Sequence, residues 1–393
     1  MRTRKSLFLF GFALAVISLV SACAPIAAPP AAAPPAPPTA APPEAPAAAQ
    51  PEKLKLVIYT AFVEERMKPL VELFKKWALE THNADVDVEW IYASTSDNFA
   101  RIQAERENPQ ADILTTTGDR SMAAKEMGLT EPYKVSNWDE IPDFAKDKDG
   151  HWWAPSLLPY IILYNKDLVS EEEAPKDWVD VLDPKWKGQL IVRDPTQSGT
   201  GGTIVLSFMA VWGPEQGKDF LLRLDNQVEG RYHESSTKTV LDVARGAYKM
   251  ALWNEAYTLR VKYDQGFSNL GVVYPKSWMV MGLETRLIPK GAPHRKAAEL
   301  WMEFEATPLA AIDMMKQYDR PTLAHLVPPD QVPEWLKESQ NLPVLNINWA
   351  KFTTARKEWL NMWSTEIKGK GADYVAANPE VPEYVIVDDY LVK

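Results

Sequence analysis

Short apolar runs alternate with amphipathic segments along residues 53–130 of the chain. The apolar runs predict β-strands at 54–60, 86–92 and 111–115. The segments with apolar side chains at helical spacing predict helices at 63–79, 99–106 and 120–127. This β-α-β-α-β order is typical of a parallel sheet covered by helices on both faces, and it predicts an α/β fold.

A second alternating set starts near Ile161. It predicts strands at 161–164, 189–192 and 250–253, and helices at 203–212, 215–224 and 236–246. Beyond Val272, a strand and an amphipathic helix at 294–304 indicate a return to the first lobe. The residues after Ala324 are predicted to form a helical tail against that lobe. The chain is therefore predicted to form two lobes, with lobe 1 at 53–155 plus 272–393 and lobe 2 at 156–271.

The first 23 residues have the pattern of an export signal. Three basic residues precede an apolar run at 7–20, which is shorter than the roughly 20 residues that a membrane-spanning helix needs. The end of this segment, VSAC at 20–23, resembles the bacterial lipobox. That resemblance implies that Cys23 is lipidated, for example with palmitate, and becomes the first residue of the mature protein. A plain signal peptide with an incidental cysteine is the alternative.

Composition divides the rest of the chain into a tether and a body. Residues 24–51 hold 13 alanines and 11 prolines, which cannot build a core and favour an extended spacer. The body after this tether carries 40 basic and 52 acidic residues, a balance that argues against nucleic-acid binding because phosphates require a basic face. We expect a monomer that is lipid-anchored to the outer face of the cytoplasmic membrane, or to the periplasmic side in a two-membrane cell.

Hydroxyl-bearing residues cluster at four predicted strand-to-helix junctions. In open α/β sheets, ligands bind outside the carboxyl ends of the strands, so side chains gathered there form a candidate binding rim. Helix capping by serine and threonine is the alternative for any single junction. The candidates at the first three junctions are Tyr59, Thr60, Ser94, Thr95 and Thr116.

The fourth junction, SGTGGT at 198–203, has the strongest indication of a ligand. It opens an apolar helix, so several backbone N–H groups lie at a positive helix end and suit a phosphate, a carboxylate or a similar anion. The glycines are not followed by Lys-Ser or Lys-Thr, which excludes a Walker loop, and a flexible turn is the alternative. Ser198, Gly199 and Thr200 are the candidates here.

Aromatic residues near the strand ends are further candidates for ligand contact. Trp253, Glu255 and Tyr257 combine aromatic and polar groups at the end of an apolar strand, and Tyr160 and Trp278 lie in comparable crossover regions. Most of the other tryptophans are expected in the core, because a body of this length has room for them.

The sequence shows no catalytic constellation. The five histidines lie far apart without metal-ligand spacing, and no Gly-x-Ser-x-Gly elbow occurs. The chain has one cysteine, and it belongs to the lipobox. We therefore expect a protein that is not an enzyme and that has no cofactor and no metal site.

Five stretches, in this order and spacing, carry a resemblance to a known family. They are LVIYT at 56–60, NPQADI at 108–113, LYNKDL at 163–168, LDPKWKG at 182–188 and DPTQSGTG at 194–201. Over residues 53–330 the chain resembles bacterial extracellular solute-binding proteins of ABC importers, in the branch of iron(III)-, polyamine- and phosphonate-type binders. The resemblance implies a type 2 periplasmic-binding-protein fold, with two α/β lobes, a hinge of crossing strands and a cleft from which a small solute is delivered to an ABC permease.

The subfamily motifs leave the solute open. Iron(III)-binding members have two adjacent tyrosines where this chain has Ala256-Tyr257, and polyamine binders have an acid where this chain has Val280. Iron(III) and polyamines stay as alternatives, whereas the glycine-rich junction favours a small polar, anionic solute. Two other classes are also open: a secreted hydrolase on a two-lobe scaffold, and a surface module that captures a partner chain.

Overall fold

The computed structural model describes residues 50–197, 199–233, 235–337 and 342–392. The predicted signal segment, Cys23, most of the tether and Ser198 lie outside the described residues. The strands are β1 (Glu52–Thr60), β2 (Ala84–Tyr92), β3 (Ile113–Thr117), β4 (Thr130–Glu131), β5 (Trp153–Asn165), β6 (Leu190–Arg193), β7 (Tyr232–His233), β8 (Met250–Asn254), β9 (Leu270–Val273), β10 (Met281–Pro289) and β11 (Arg320–Pro321).

Helices cover the sheet at most of the predicted positions. They are α1 (Glu64–His82), α2 (Thr95–Ala104), α3 (Gly118–Glu126), α4 (Gly199–Gln227), α5 (Ser236–Ala244), α6 (Glu255–Tyr263), α7 (Arg295–Glu305), α8 (Pro308–Lys316), α9 (Glu334–Lys337), α10 (Trp349–Met362) and α11 (Gly371–Ala377). Short 3₁₀ turns occur at Trp138–Glu140, Asp143–Ala145, Val179–Leu182, Pro184–Trp186, Ala324–Leu326 and Pro329–Gln331, and a π-helical turn occurs at Trp363–Ile367.

The sheet follows the strand order β2-β1-β3-β10-β5-β8-β6-β7. The pairing of β1 with β2 and with β3 is parallel, as predicted. However, β10 lies antiparallel to both β3 and β5, so the sheet is mixed. The physical reason is connectivity: β10 belongs to the chain that returns from the later strands, and it enters the sheet from the opposite end.

Strand β5 runs through both halves of this sheet. Its residues up to Pro159 pair with β10, whereas its residues from Tyr160 onward pair with β8 and β9. We therefore call β2, β1, β3 and β10 the first sheet half, and β8, β9, β6 and β7 the second sheet half. The sequence predicted only residues 161–164 of β5, because prolines and a serine interrupt the apolar pattern before them.

Helix α4 contains the break that the sequence predicted between 203–212 and 215–224. Gly213 has a positive φ of 78° and is followed by Pro214, so the helix kinks there. A Cβ on Gly217 would lie 2.5 Å from the Met209 Cα, which shows that the backbones on the two sides of the kink are in contact.

An aromatic cluster fills the core beneath α4. The Trp278 ring lies 5.5 Å from the rings of Trp178 and Phe208 and 5.2 Å from Trp212, measured between centroids. The Trp178 Nε1 donates a hydrogen bond of 2.9 Å to the Trp278 carbonyl oxygen. Each such ring pair contributes about 0.5–1.5 kcal/mol beyond its buried area. Trp278, a predicted ligand contact, is therefore a core residue in this structure.

The C-terminal tail, residues 342–392, contacts both sheet halves. Helix α10 packs on α3, which follows β3, and α11 packs on α4, which follows β6. Gly371 makes the second contact possible, because a Cβ there would lie 2.3 Å from the Asn226 backbone nitrogen. The tail was predicted to lie against lobe 1, but in this structure it also packs on a helix of the segment predicted as lobe 2.

Candidate functional site

A cavity of about 390 Å³ lies between the two sheet halves, a volume in the range of small-molecule sites. Ends of strands and starts of helices from both halves form its lining. Of the residues predicted from the sequence, six are in the lining: Ser94, Thr95, Thr116, Thr200, Trp253 and Tyr257.

The first sheet half contributes hydroxyl groups. Ser94 caps α2, since its Oγ accepts a hydrogen bond of 3.1 Å from the Asp97 backbone nitrogen, so the capping role and the position in the lining occur together. Thr116 is 1% exposed, and its Oγ1 has no hydrogen-bond partner among the described residues. An unpartnered buried hydroxyl costs about 1–3 kcal/mol, which marks Thr116 as a group that a ligand could satisfy.

The second sheet half contributes an arginine and a tryptophan. Arg193 ends β6, and its guanidinium lies 5.6 Å from the Trp253 ring centroid. The Trp253 Nε1 is buried without a hydrogen-bond partner in the described part of the chain. Next to it, Asn254 caps α6 by accepting a hydrogen bond of 3.0 Å from the Tyr257 backbone nitrogen, which fixes Tyr257 at the cavity wall.

The floor of the cavity is an ion cluster. Arg66 on α1 donates to both Glu284 carboxylate oxygens, at 3.0 and 2.6 Å, and lies 2.6 Å from the Asp319 carboxylate. Arg260 donates to Asp319 at 2.5 Å. Burial alone would raise the pKa of the Glu284 carboxyl, but the charge and hydrogen bonds of Arg66 outweigh it and lower that pKa to about 2. Glu284 is therefore ionised at neutral pH.

The charged residues of the described lining are Arg66, Arg193, Arg260 and Glu284. The buried Asp319 pairs with both Arg66 and Arg260, so the two arginines of the floor are balanced by two carboxylates, and Arg193 is the basic residue of the described lining outside this cluster. The sequence reasoning missed all four. Two signals could have found arginines: Arg66 lies on the buried face of α1, where a charge is unusual, and Arg193 directly follows a predicted strand. Arg260 and Glu284 meet the site only through tertiary packing.

We call the part of the cavity wall that follows the first sheet half the first side, and the part that follows the second sheet half the second side. The two sides are in contact at the first turn of α4. A Cβ on Gly199 would lie 2.4 Å from Nη1 of Arg120 and 2.8 Å from Oγ1 of Thr95. Arg120 is held there by hydrogen bonds to the Ser96 Oγ, at 2.8 Å, and to the Thr117 Oγ1, at 3.3 Å. Gly199, a predicted ligand contact outside the cavity lining, is thus the point at which the second side meets the first.

The remaining predicted residues of β1 lie outside the cavity lining. Tyr59 is fully buried, and its hydroxyl donates to the Glu105 carboxylate at 3.0 and 3.1 Å. Burial and this hydrogen bond raise the pKa of Tyr59 to about 12. The Thr60 Oγ1 accepts a hydrogen bond of 3.0 Å from the Phe62 backbone nitrogen, so Thr60 shapes the turn that brings Phe62 into the lining.

Tyr160 and Glu255 are also outside the lining, like Trp278. Tyr160 is 2% exposed. Its hydroxyl oxygen lies 2.2 Å from the position that a Cβ on Gly282 would take, so it packs directly against that glycine. Glu255 is fully buried and accepts two hydrogen bonds from Arg320, at 2.6 and 2.7 Å. Each of these polar groups is used inside the protein.

Among the described residues, no group of three or more histidine, cysteine, aspartate or glutamate side chains is arranged to hold a metal ion. The phenols of the described lining are Tyr92, which is 63% exposed, and Tyr257.

Comparison with known proteins decides the family. The model of the family described as "Bacterial extracellular solute-binding protein" matches residues 108–354. The chain belongs to this family. The resemblance noted from the sequence is confirmed, and with it the assignment as a solute-binding component of an ABC transporter that receives a small solute and works with a permease.

Relatives and solved structures similar to this solute-binding protein include proteins named for different solutes. An uncharacterized protein of Haemophilus influenzae is 29% identical over 297 residues, which cover 72% of this chain and 84% of that protein. Iron uptake protein A1 of Synechocystis is 26% identical over 272 residues, covering 64% and 72%. The structure of AfuA from Actinobacillus pleuropneumoniae with fructose-6-phosphate bound has a TM-score of 0.68 at 26% identity, covering 80% of this chain and 98% of AfuA.

These similarities confirm the two-lobed periplasmic-binding-protein fold. Proteins of this family and fold bind a substrate without converting it, and they work outside the cytoplasm. Along the part of this chain that the structure describes, no helix has both the length and the apolar character needed to cross a bilayer.

Proposed function

We propose that this solute-binding protein captures a small anionic solute, with a phosphate, phosphonate or carboxylate group, in the cavity between the sheet halves. The observation that carries the proposal is the set of donors in the described lining: Arg193 beside the Trp253 ring, with the buried Thr116 hydroxyl and Trp253 indole N–H. The hinge lies in β5 between Pro159 and Tyr160, where the pairing of that strand changes from β10 to β8. Closure around the solute is a shift of the hinge equilibrium towards the form that binds it better.

Hydrogen-bond donors support the same solute chemistry. The Thr116 hydroxyl and the Trp253 indole N–H are buried in the lining, and neither has a partner among the described residues. Thr200, in the first turn of α4, adds a hydroxyl at the positive end of a helix. An oxyanion accepts hydrogen bonds from all of these groups, which would remove the cost of leaving them unpaired.

Iron(III) is the second candidate, because one relative is an iron uptake protein. The carboxylate of the described lining, Glu284, is already paired with Arg66, so iron would have to enter as a complex with an anion such as citrate. A polyamine is disfavoured because the acids that could bind its ammonium groups are already paired. Glu284 in the described lining binds Arg66, and Glu255, which could replace the acid missing at Val280, binds Arg320.

The decisive experiment identifies the solute directly. Native mass spectrometry of the body, residues 52–393, followed by denaturation, should release a co-purified anion if one is retained. Calorimetry should then compare inorganic phosphate, fructose 6-phosphate, 2-aminoethylphosphonate, iron(III) citrate and spermidine. We expect a phosphate- or phosphonate-bearing solute to bind. Binding of spermidine alone, or of none of the anions, would refute the proposal.

A matched pair of variants tests the charge. Arg193→Met should weaken anion binding by about 10- to 150-fold, the equivalent of one hydrogen bond to a charged group. Arg245→Met removes the same charge from an exposed position at the end of α5 and should leave the affinity within twofold. Equal affinities of the two variants would contradict the role of Arg193.

We further propose that a lipid on Cys23 holds the protein at the membrane as a monomer, with the Ala/Pro-rich segment as its tether. One acyl chain gives marginal binding, and two or more make the attachment durable. Cys23→Ser should move the full-length protein from the membrane fraction to the soluble fraction. Light scattering of the body should give one copy per particle.

A further inference from the structure

The C-terminal tail starts beside the strand that joins the sheet halves. The Met279 backbone nitrogen donates a hydrogen bond of 2.8 Å to the Pro343 carbonyl oxygen, and the Met279 carbonyl oxygen accepts one of 2.8 Å from the Leu345 backbone nitrogen. Two residues later β10 begins, and β10 pairs with β5 across the centre of the sheet. The tail is therefore attached at the point where the two sheet halves meet.

One cation of the tail holds the first side of the cavity. The Arg356 Nε on α10 lies 3.0 Å from the Asp119 carboxylate, which is 3% exposed. Asp119 in turn accepts a hydrogen bond of 2.5 Å from the Thr117 Oγ1, and Thr117 lines the cavity. A Cβ on Gly202 in α4 would lie 2.9 Å from Arg356 Nη2, so the same guanidinium also touches the second side.

A second cation of the tail holds the second side. The Lys368 Nζ donates 2.6 Å to one oxygen of the Asp194 carboxylate. The other oxygen accepts from the Thr196 backbone nitrogen, at 2.9 Å, and from its hydroxyl, at 2.7 Å. Asp194 directly follows Arg193, so Lys368 fixes the turn between the arginine of the lining and Gln197, which also lines the cavity.

The tail is itself locked into a closed path. The Asp225 carboxylate at the end of α4 accepts from the Gly369 and Gly371 backbone nitrogens, at 3.0 and 2.8 Å. Near its end, the tail comes back to its own beginning, where the Asn348 backbone nitrogen donates a hydrogen bond of 2.7 Å to the Tyr390 carbonyl oxygen. Arg356 and Lys368 therefore lie in a segment that is hydrogen-bonded to α4 and, through Tyr390, to its own beginning.

We propose that the tail is a strap that positions both sides of the solute cavity, with Arg356 and Lys368 as its positioning residues. The strap binds one carboxylate on each side, Asp119 and Asp194. Asp119 is hydrogen-bonded to a lining residue, Thr117, and Asp194 directly follows another, Arg193. It holds the two sides together in the arrangement in which Gly199 meets Arg120. This inference rests on the proposed function, because it assigns roles in solute retention at the same cavity.

The test measures solute release and local protection in matched variants. Lys368→Met and Arg356→Met should each raise the dissociation rate of fructose 6-phosphate, or of the phosphate-bearing solute that binds in calorimetry, by about tenfold, because a buried carboxylate loses a cationic partner. The association rate should change less than twofold. The conservative variant Lys368→Arg should keep the slow release of the wild type. The control variants Lys370→Met and Lys357→Met, which remove cations close in sequence to Lys368 and Arg356, should behave as wild type.

Hydrogen exchange of the solute-free protein separates this inference from the proposed function. We expect faster exchange at 194–197 in Lys368→Met and at 117–121 in Arg356→Met, with the global melting temperature lower by about 2–4 °C, because the unpaired carboxylate also destabilises the fold. A wild-type protein that binds none of the solutes refutes the proposed function, while the exchange result still decides whether the strap exists. Exchange and release rates equal to those of the two control variants would overturn the strap.

Discussion

Substituting Gly199 should open the cavity without disturbing the fold. In the structure, a Cβ at this position would lie 2.4 Å from Arg120 Nη1 and 2.8 Å from Thr95 Oγ1. Ordinary contact begins at 3.4 Å, so Gly199→Ala requires a movement of about 1 Å between the two sides. Helix α4 itself should not suffer, because alanine is a better helix former than glycine by about 1 kcal/mol.

The magnitude follows from what Arg120 must give up. To make room, the guanidinium must leave the Ser96 or Thr117 hydroxyl, and hydrogen bonds of charged groups contribute about 1.5–3 kcal/mol. This cost applies to the arrangement in which Gly199 contacts Arg120. If the solute binds to that arrangement, its affinity should fall by about 10- to 150-fold. Gly199→Val should lose more than Gly199→Ala, because its side chain is larger.

A thermodynamic cycle with Arg120→Ala identifies the cause. Calorimetry should give the affinity of the four proteins for one phosphate-bearing solute, and urea unfolding should give their stabilities. With the guanidinium removed, Gly199→Ala should cost much less affinity than in the wild-type background. Equal losses in both backgrounds, or an unchanged affinity of Gly199→Ala, would refute the steric reasoning.

Two further predictions concern lining residues. Thr116→Val should weaken anion binding about two- to tenfold, while unfolding free energy stays equal or rises, because the Thr116 hydroxyl has no partner to lose among the described residues; a clear loss of stability would show a structural hydrogen bond instead. The lowered pKa of Glu284 means that its carboxylate stabilises the fold fully above the ordinary value of 4.5 and loses this contribution as pH falls towards 2. Between pH 4.5 and 2 the wild type should therefore lose more stability than Glu284→Gln in urea titrations, and parallel losses would contradict the ion pair with Arg66.

The sequence predicted the local elements well because their signals are local. The parallel unit of β1, β2 and β3 and the break of α4 at Gly213-Pro214 follow from periodicity and from the conformational limits of two residues. The long β5 strand was only partly predicted, since its pairing partners change along its length and its prolines weaken the strand pattern. Pairing between distant segments decides such a strand, and one sequence does not contain that information.

The candidate site shows the same limit at the level of side chains. The rule that ligands lie at strand ends placed Thr116, Thr200 and Trp253 in the lining. The rule could not separate Trp253 from Trp278, because both are aromatic residues near strand ends, and only packing puts Trp278 among other aromatic rings. The arginines of the floor were missed because their opposite charges come from segments far away in the chain.

The acidic net charge of the body makes a prediction about salt. The body has 40 basic and 52 acidic residues, which give it a net charge of about −12. At about 25 Å from its centre, this charge repels a doubly charged anion by about 4 kcal/mol in unscreened water. The screening length falls from about 30 Å at 0.01 M salt to about 10 Å at 0.1 M, which removes most of this repulsion. Inside the cavity, the arginines act at contact distance, where screening is weaker.

The association rate of a phosphate-bearing solute should therefore rise between 0.01 and 0.1 M salt, whereas for most oppositely charged partners it falls. Stopped-flow tryptophan fluorescence can follow this, because Trp253 lines the cavity. The rise should be absent for an uncharged analogue of the same solute. An association rate that falls with salt would mean that the arginines of the lining control the field well outside the cavity, and that the net charge of the body does not oppose capture.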